Sequence, residues 1–274
     1  MGLTDEQVAD DTSREVSNFT IGFLRFATDK LGANAESAGS GTLVKVGSIF
    51  GVLTAAHVIS ELTRHSSVGI VVFGGEGKLQ KQEIDMKETE AVIFYKPENK
   101  ERGPDIAFLR LPEVNASNLR ATHLFLDLEE LRARSDSDPP FLDWMVGVVG
   151  EWTTELEPIT PPGGLTSPLR RKRFQALLGV GKSVGHRTEN GFDLFDFAPN
   201  VPRPPSTYGG VSGGAIWHLY IEQLGENDYA VRGKRFIGVP FYELYDDKNA
   251  LYLVCHGPQS YGQLSDAILS KWAS

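Results

Sequence analysis

The sequence predicts an all-β chain: two six-stranded antiparallel β-barrels in succession, followed by a C-terminal helix. Three observations carry this. Short apolar runs rich in Val, Ile, Phe and Leu recur along the chain, separated by Gly, Ser, Asn and Asp, which is the pattern of strands and turns. These runs divide six and six around a polar, proline-bearing stretch. The length, 274 residues, suits two units of about 100 to 130 residues each.

A polar, acidic lead covers residues 1–18. The first barrel spans 19–125, with strands expected near 19–27, 40–46, 48–55, 68–74, 89–95 and 105–111. An interdomain connection spans 126–140, where Asp127 to Arg134 reads as a short helix and Ser135 to Pro140 as a linker. The second barrel lies within 141–274, with strands expected near 144–150, 173–180, 191–198, 213–220, 234–241 and 250–256. Two loops are long, Glu151–Leu169 and Ala198–Gly210, each carrying four prolines. Loops of that length in compact domains are usually functional rims or disordered excursions. Leu264, Ala267, Ile268 and Trp272 recur at helical spacing in Gly262–Ala273, the expected C-terminal helix with one packed face.

Composition excludes several function classes. A formal net charge of -9 repels polyanions, so no nucleic-acid partner is expected. The run Arg170-Arg171-Lys172-Arg173 is read as a solvated loop or strand end. Apolar residues at 41% and charged residues at 23% fit a globular chain rather than a disordered one. Cys255 stands alone, so no intramolecular disulfide forms, and with an amino terminus unlike a signal peptide this points to a cytoplasmic protein. No apolar run approaches the roughly 20 residues that span a bilayer, so no membrane partner is expected. The histidines His65, His123, His186, His218 and His256 show no ligand spacing with Cys, Asp or Glu, so no metal is expected. Cys255 beside His256 reads as a buried strand residue, because neighbours on a strand point to opposite faces.

Three segments carry chemistry. Gly209-Gly210-Val211-Ser212-Gly213-Gly214-Ala215 sets a serine among glycines at the start of an apolar strand, where the backbone can expose a hydroxyl and converge N–H groups on a developing oxyanion. Leu53-Thr54-Ala55-Ala56-His57 ends an apolar strand in small residues and then an accessible imidazole, the usual general base near neutral pH. Gly103-Pro104-Asp105-Ile106-Ala107-Phe108-Leu109-Arg110-Leu111 opens an apolar strand on an aspartate, and a carboxylate at a core edge requires a partner. Each has an ordinary counterpart: a glycine turn, a histidine at a helix start, an aspartate capping a turn. The serine segment also fits the G-x-S-x-G pattern of α/β-hydrolases, with His218 and His256 following it, but the strand-rich surroundings disfavour that fold.

Together with Gly39-Ser40-Gly41-Thr42-Leu43-Val44, these segments resemble, in order, the defining motifs of the trypsin-like serine proteases, of the type without disulfides. The resemblance implies Ser212 as nucleophile, His57 as general base and acid, Asp105 as the group orienting the imidazole, and the N–H groups of Gly210 and Ser212 as the oxyanion hole. It also places Ser206, six residues before the serine, at the base of the primary pocket, and aligns Pro240 and Phe241 with a substrate-pairing strand; Pro240 lacks an N–H to offer. Val211 stands where secreted relatives carry the aspartate used in zymogen activation, so the full-length chain is expected to be competent as synthesised. The expected function is hydrolysis of peptide bonds in a protein or peptide substrate, without a cofactor, with the acidic lead or proline-rich loops as candidate seats of a regulatory protein partner. The competing readings are a catalytically silent binding module on this fold and an esterase.

Overall fold

The alternating apolar runs fold as strands wherever one face of the pleat can be buried. The computed structural model describes residues 12–13, 15–29, 32–73, 80–132, 141–159, 169–225, 228–247 and 250–273. The strands of the first half are β1 (Thr20–Asp29), β2 (Gly32–Val46), β3 (Ile49–Thr54), β4 (Ser67–Val72), β5 (Gln80–Asp85), β6 (Glu90–Tyr95), β7 (Asp105–Arg110) and β8 (Leu126–Asp127). Those of the second are β9 (Phe141–Val148), β10 (Thr154–Ile159), β11 (Leu169–Arg173), β12 (Ala176–Glu189), β13 (Phe192–Asn200), β14 (Ala215–Gly225), β15 (Asp228–Tyr245) and β16 (Leu251–His256). Among the described residues the helices include α1 (Ala56–Leu62), α2 (Glu113–Arg120), α3 (Leu128–Arg132) and α4 (Pro258–Trp272).

The second half closes as expected: β12-β13-β16-β15-β14-β9 forms a six-stranded barrel. The first half differs from the expected six-stranded barrel. It is an eight-stranded sheet along the path β5-β4-β1-β2-β3-β7-β6, with β8 pairing β2 in parallel off that path. The additional strand β5, Gln-Lys-Gln-Glu-Ile-Asp, escapes the apolar signature because it is a polar edge that buries Ile84. A two-stranded hairpin, β10–β11, rises from the loop predicted at 151–169. Residues 160–168 of that loop, 133–140 of the connection, most of the lead, and the side chains of Arg170 and Arg171 lie outside the described residues.

Three of the buried clusters draw on both halves, the smallest being Leu24 and Val71 with Phe174. One joins Leu53 and Phe108 of the first sheet to Trp144, Trp217 and Phe236 of the barrel and to Tyr261, Leu264 and Ile268 of α4. Another sets Leu194, Phe241 and Val254 of the barrel among Ile21, Val52 and Ile59 of the first half. An aromatic series runs through the first cluster, Phe19–Trp217–Phe236–Tyr261, with successive ring centroids 5.5, 5.5 and 5.4 Å apart. Each such pair adds about 0.5–1.5 kcal/mol beyond the area it buries. The end of the acidic lead is thereby anchored, since Val16 and Phe19 are buried there. Among the described residues no helix is long and apolar enough to cross a membrane.

Candidate active site

Three of the predicted residues lie where the two halves meet. β3 ends at Thr54 and passes through Ala55 into α1, a helix without a side-chain cap of its own. His57 is its second residue, and its amide is one of the donors that a helix start leaves without an intrahelical partner. Asp105, the first residue of β7, supplies that partner: Oδ1 accepts the His57 N–H at 2.9 Å. Its Oδ2 lies 2.7 Å from His57 Nδ1. An ionised carboxylate can only accept, so Nδ1 carries the proton and, in the neutral ring, Nε2 keeps its lone pair. The Asp105 side chain is 7% exposed and the His57 side chain 37%. One nitrogen of the imidazole is therefore pinned at the buried side while the other has no partner among the described residues.

Ser212 sits in the turn leading into β14, and that turn is held from three directions. The Ser40 amide donates to Ser212 O at 2.9 Å, and the Gly213 amide donates to Pro240 O at 2.8 Å. The Ser40 hydroxyl donates to Gly210 O at 2.6 Å while accepting the Val148 amide at 2.7 Å. Thr54 Oγ1 donates to Ser40 O at 2.7 Å, which ties the same assembly to the end of the strand that leads to His57. Gly213 allows this approach: its φ is +84°, and a Cβ there would stand 2.0 Å from Thr54 Oγ1 and 2.2 Å from Ser40 O. Within the turn, the amides of Val211, Gly213 and Gly214 all donate to backbone carbonyls, at 2.9, 2.8 and 2.8 Å. The amides of Gly210 and Ser212 find no acceptor among the described residues.

Of the residues assigned to substrate selection, Pro240 lies beside the serine turn through its carbonyl, Phe241 is buried and Ser206 is exposed. Ser206 is exposed rather than at the base of a pocket, and it donates its amide (2.7 Å) and its hydroxyl to the Glu151 carboxylate. These two bonds hold Glu151 below the usual carboxylate range. Phe241 is buried, 2% exposed, at an irregularity in the β15–β16 register, with its ring in the core. Pro240 spends its carbonyl on Gly213. Tyr208 is buried among Val211, Leu253 and Cys255, and burial, then the Glu243 charge, push its phenol up to about 12. Thr207 Oγ1 donates to Glu243 Oε1 at 3.0 Å. The segment before the serine is thus flanked by two carboxylates, Glu151 and Glu243, that come from distant strands and loops; no acidic residue near Ser206 in sequence signals them.

Cys255 faces the barrel core, fully buried, and desolvation raises its thiol well above the ordinary range. His256 points the opposite way and reaches the site, a contact its sequence context does not announce. Its Nε2 lies 3.0 Å from the Asp105 amide. Among the described residues no cluster of three or more His, Cys, Asp or Glu side chains is arranged to hold a metal.

No family model matches the chain, and no curated protein matches it. Among solved structures it is similar to one from work on the coupled folding and binding of the intrinsically disordered VPg protein of Sesbania mosaic virus, with 13% identity and a TM-score of 0.43 over 88% of this chain and 85% of that one. It is also similar to a variant of the HtrA-type protease AlgW with a decapeptide, at 10% identity and a TM-score of 0.48 over 97% of this chain and 68% of that one. At such overlap the functional reading rests on the chain's own residues: a histidine–aspartate pair, and a glycine-bound serine turn bonded to Ser40, which Thr54 ties to the strand that leads to His57.

Proposed function

We propose that the chain is a serine endopeptidase acting through Ser212, His57 and Asp105. The observation that carries this is the His57 ring, fixed by Asp105 at Nδ1 (2.7 Å) and without a partner at Nε2 among the described residues, three residues after Thr54, whose hydroxyl is bonded to Ser40 O while the Ser40 amide is bonded to Ser212 O. Ser212 Oγ adds to the carbonyl carbon of the scissile bond as its proton passes to His57 Nε2. The carbonyl oxygen becomes an oxyanion, received by the amides of Gly210 and Ser212, which have no acceptor among the described residues. Collapse breaks the C–N bond, and the leaving amine takes the proton from His57. Water, deprotonated by the same nitrogen, then releases the acyl group and restores Ser212. Asp105 keeps its charge throughout and favours the imidazolium that forms twice in the cycle. No cofactor enters.

A pool of unstructured peptides tests this. Incubation with the wild-type chain is expected to generate new internal termini, read by mass spectrometry, and Ser212→Ala is expected to generate none above the buffer background. Identical termini from both proteins would assign the cleavage to something other than Ser212.

A further inference from the structure

The buried imidazole behind the candidate triad has its hydrogen bonding determined in full. His256 is 0% exposed, stacked on Phe241 with centroids 4.6 Å apart and 28° between planes. The Asp105 amide can only donate, so His256 Nε2, at 3.0 Å, must present its lone pair. Burial pushes the ring down to about 3, so near neutral pH it carries one proton, which must be on Nδ1. Nδ1 faces Ser260 Oγ at 3.1 Å. That hydroxyl, accepting from His256, donates to Asp193, whose carbonyl and Oδ1 lie 2.9 and 2.6 Å away. Asp193 also accepts the amides of Gln259 (2.9 Å) and Ser260 (2.6 Å), so it caps the start of α4 and is fixed there. Every proton in the series Asp193–Ser260–His256–Asp105 therefore has one direction.

We propose that His256 is a positioning residue for the His57–Asp105 pair: it holds the Asp105 backbone from the barrel side, while Ser260 and Asp193 hold His256 in the tautomer that can do so. Asp105 is gripped on both sides, its carboxylate by the amide and ring of His57 and its own amide by His256, and the two grips come from different halves of the chain. Asn190 Nδ2 adds a weaker tie across the same junction, to Gly103 O at 3.3 Å. The consequence for the site is alignment, since a shift of about 1 Å in a reacting group costs on the order of 100-fold in rate.

The inference rests on the proposed hydrolase reading, and the experiment separates the two. The probe is a fluorophosphonate, whose maximal labelling rate and half-saturating concentration are measured on the full chain. His256→Leu removes the acceptor and keeps apolar volume; it is expected to lower the maximal rate roughly 10- to 100-fold with half-saturation changed less than about 2-fold. His256→Gln, whose Oε1 can stand where Nε2 does, is expected to remain within about 5-fold of wild type. Ser260→Ala, which leaves the ring packed but frees its tautomer, is expected to fall between them and serves if His256→Leu does not fold. In parallel, the downfield NMR signal of the His57 Nδ1 proton is expected to be sharp in wild type and His256→Gln and broadened or shifted in His256→Leu and Ser260→Ala. Unchanged rates and an unchanged signal in folded His256→Leu or Ser260→Ala would overturn the positioning role while leaving the hydrolase reading intact. Absence of wild-type labelling with the signal still responding to His256 would remove the hydrolase reading and keep the positioning role.

Discussion

Asp105→Asn is expected to lower the reaction rate of Ser212 about 10⁴-fold near neutral pH, with the fold retained. Asp105 accepts two hydrogen bonds from one residue, the His57 amide at Oδ1 and the His57 ring at Oδ2. An asparagine offers one carbonyl oxygen and one amide nitrogen to the same two donors. If the oxygen stays with the backbone N–H, the nitrogen faces Nδ1, which must then become an acceptor. The imidazole proton moves to Nε2, the nitrogen required to take the serine proton. The measurement is the fluorophosphonate labelling rate beside wild type, with circular dichroism to verify the fold. A rate within 10-fold of wild type would mean that the His57 tautomer does not control Ser212.

Gly213→Ala is expected to act on stability and reactivity together. The new Cβ would stand 2.0 Å from Thr54 Oγ1 and 2.2 Å from the Ser40 carbonyl oxygen, and φ at this position is +84°. A left-handed residue with a side chain costs about 1–2 kcal/mol, and overpacking a closed site about 1–3 kcal/mol more. A fall in Tm of roughly 3–9 °C follows for a chain of this size. Because Ser40 holds the carbonyls of Ser212 and Gly210 and is itself held by Thr54, relief of the clash displaces the turn and reactivity falls as well. Thermal unfolding with and without labelling checks both parts; an alanine variant with the Tm and labelling rate of wild type would show that the turn is not clamped in this way.

The sequence made some of this legible and concealed the rest for identifiable reasons. Strands such as β3 and β7 announce themselves because each has a nearly continuous apolar run bounded by turn residues. The edge strand β5 and the hairpin partner β11, Leu-Arg-Arg-Lys-Arg, lack that signature, and their pairing is decided by neighbours far along the chain. Helix α2 buries Ala116 and Leu119 in an otherwise polar segment, too faint an apolar face to predict. In the site, the His57–Asp105 contact was foreseen from order and residue type. The Ser40–Gly210 bond was not, since it joins a side chain to a carbonyl 170 residues away. Nor was the reach of His256 to Asp105, 151 residues apart, because a histidine closing an apolar strand reads as core. Ser206, a position assigned by counting from the serine, is exposed and bonded to Glu151, a partner 55 residues away that the counting does not signal.

The most direct test of a Ser212 hydrolase is to treat the full chain with a fluorophosphonate and locate the adduct by intact-mass and peptide-mapping mass spectrometry. The expected result is one phosphonyl group per chain on Ser212, absent from Ser212→Ala and strongly slowed in His57→Ala. A folded wild-type chain that acquires no adduct, or acquires it equally in Ser212→Ala, would contradict the assignment.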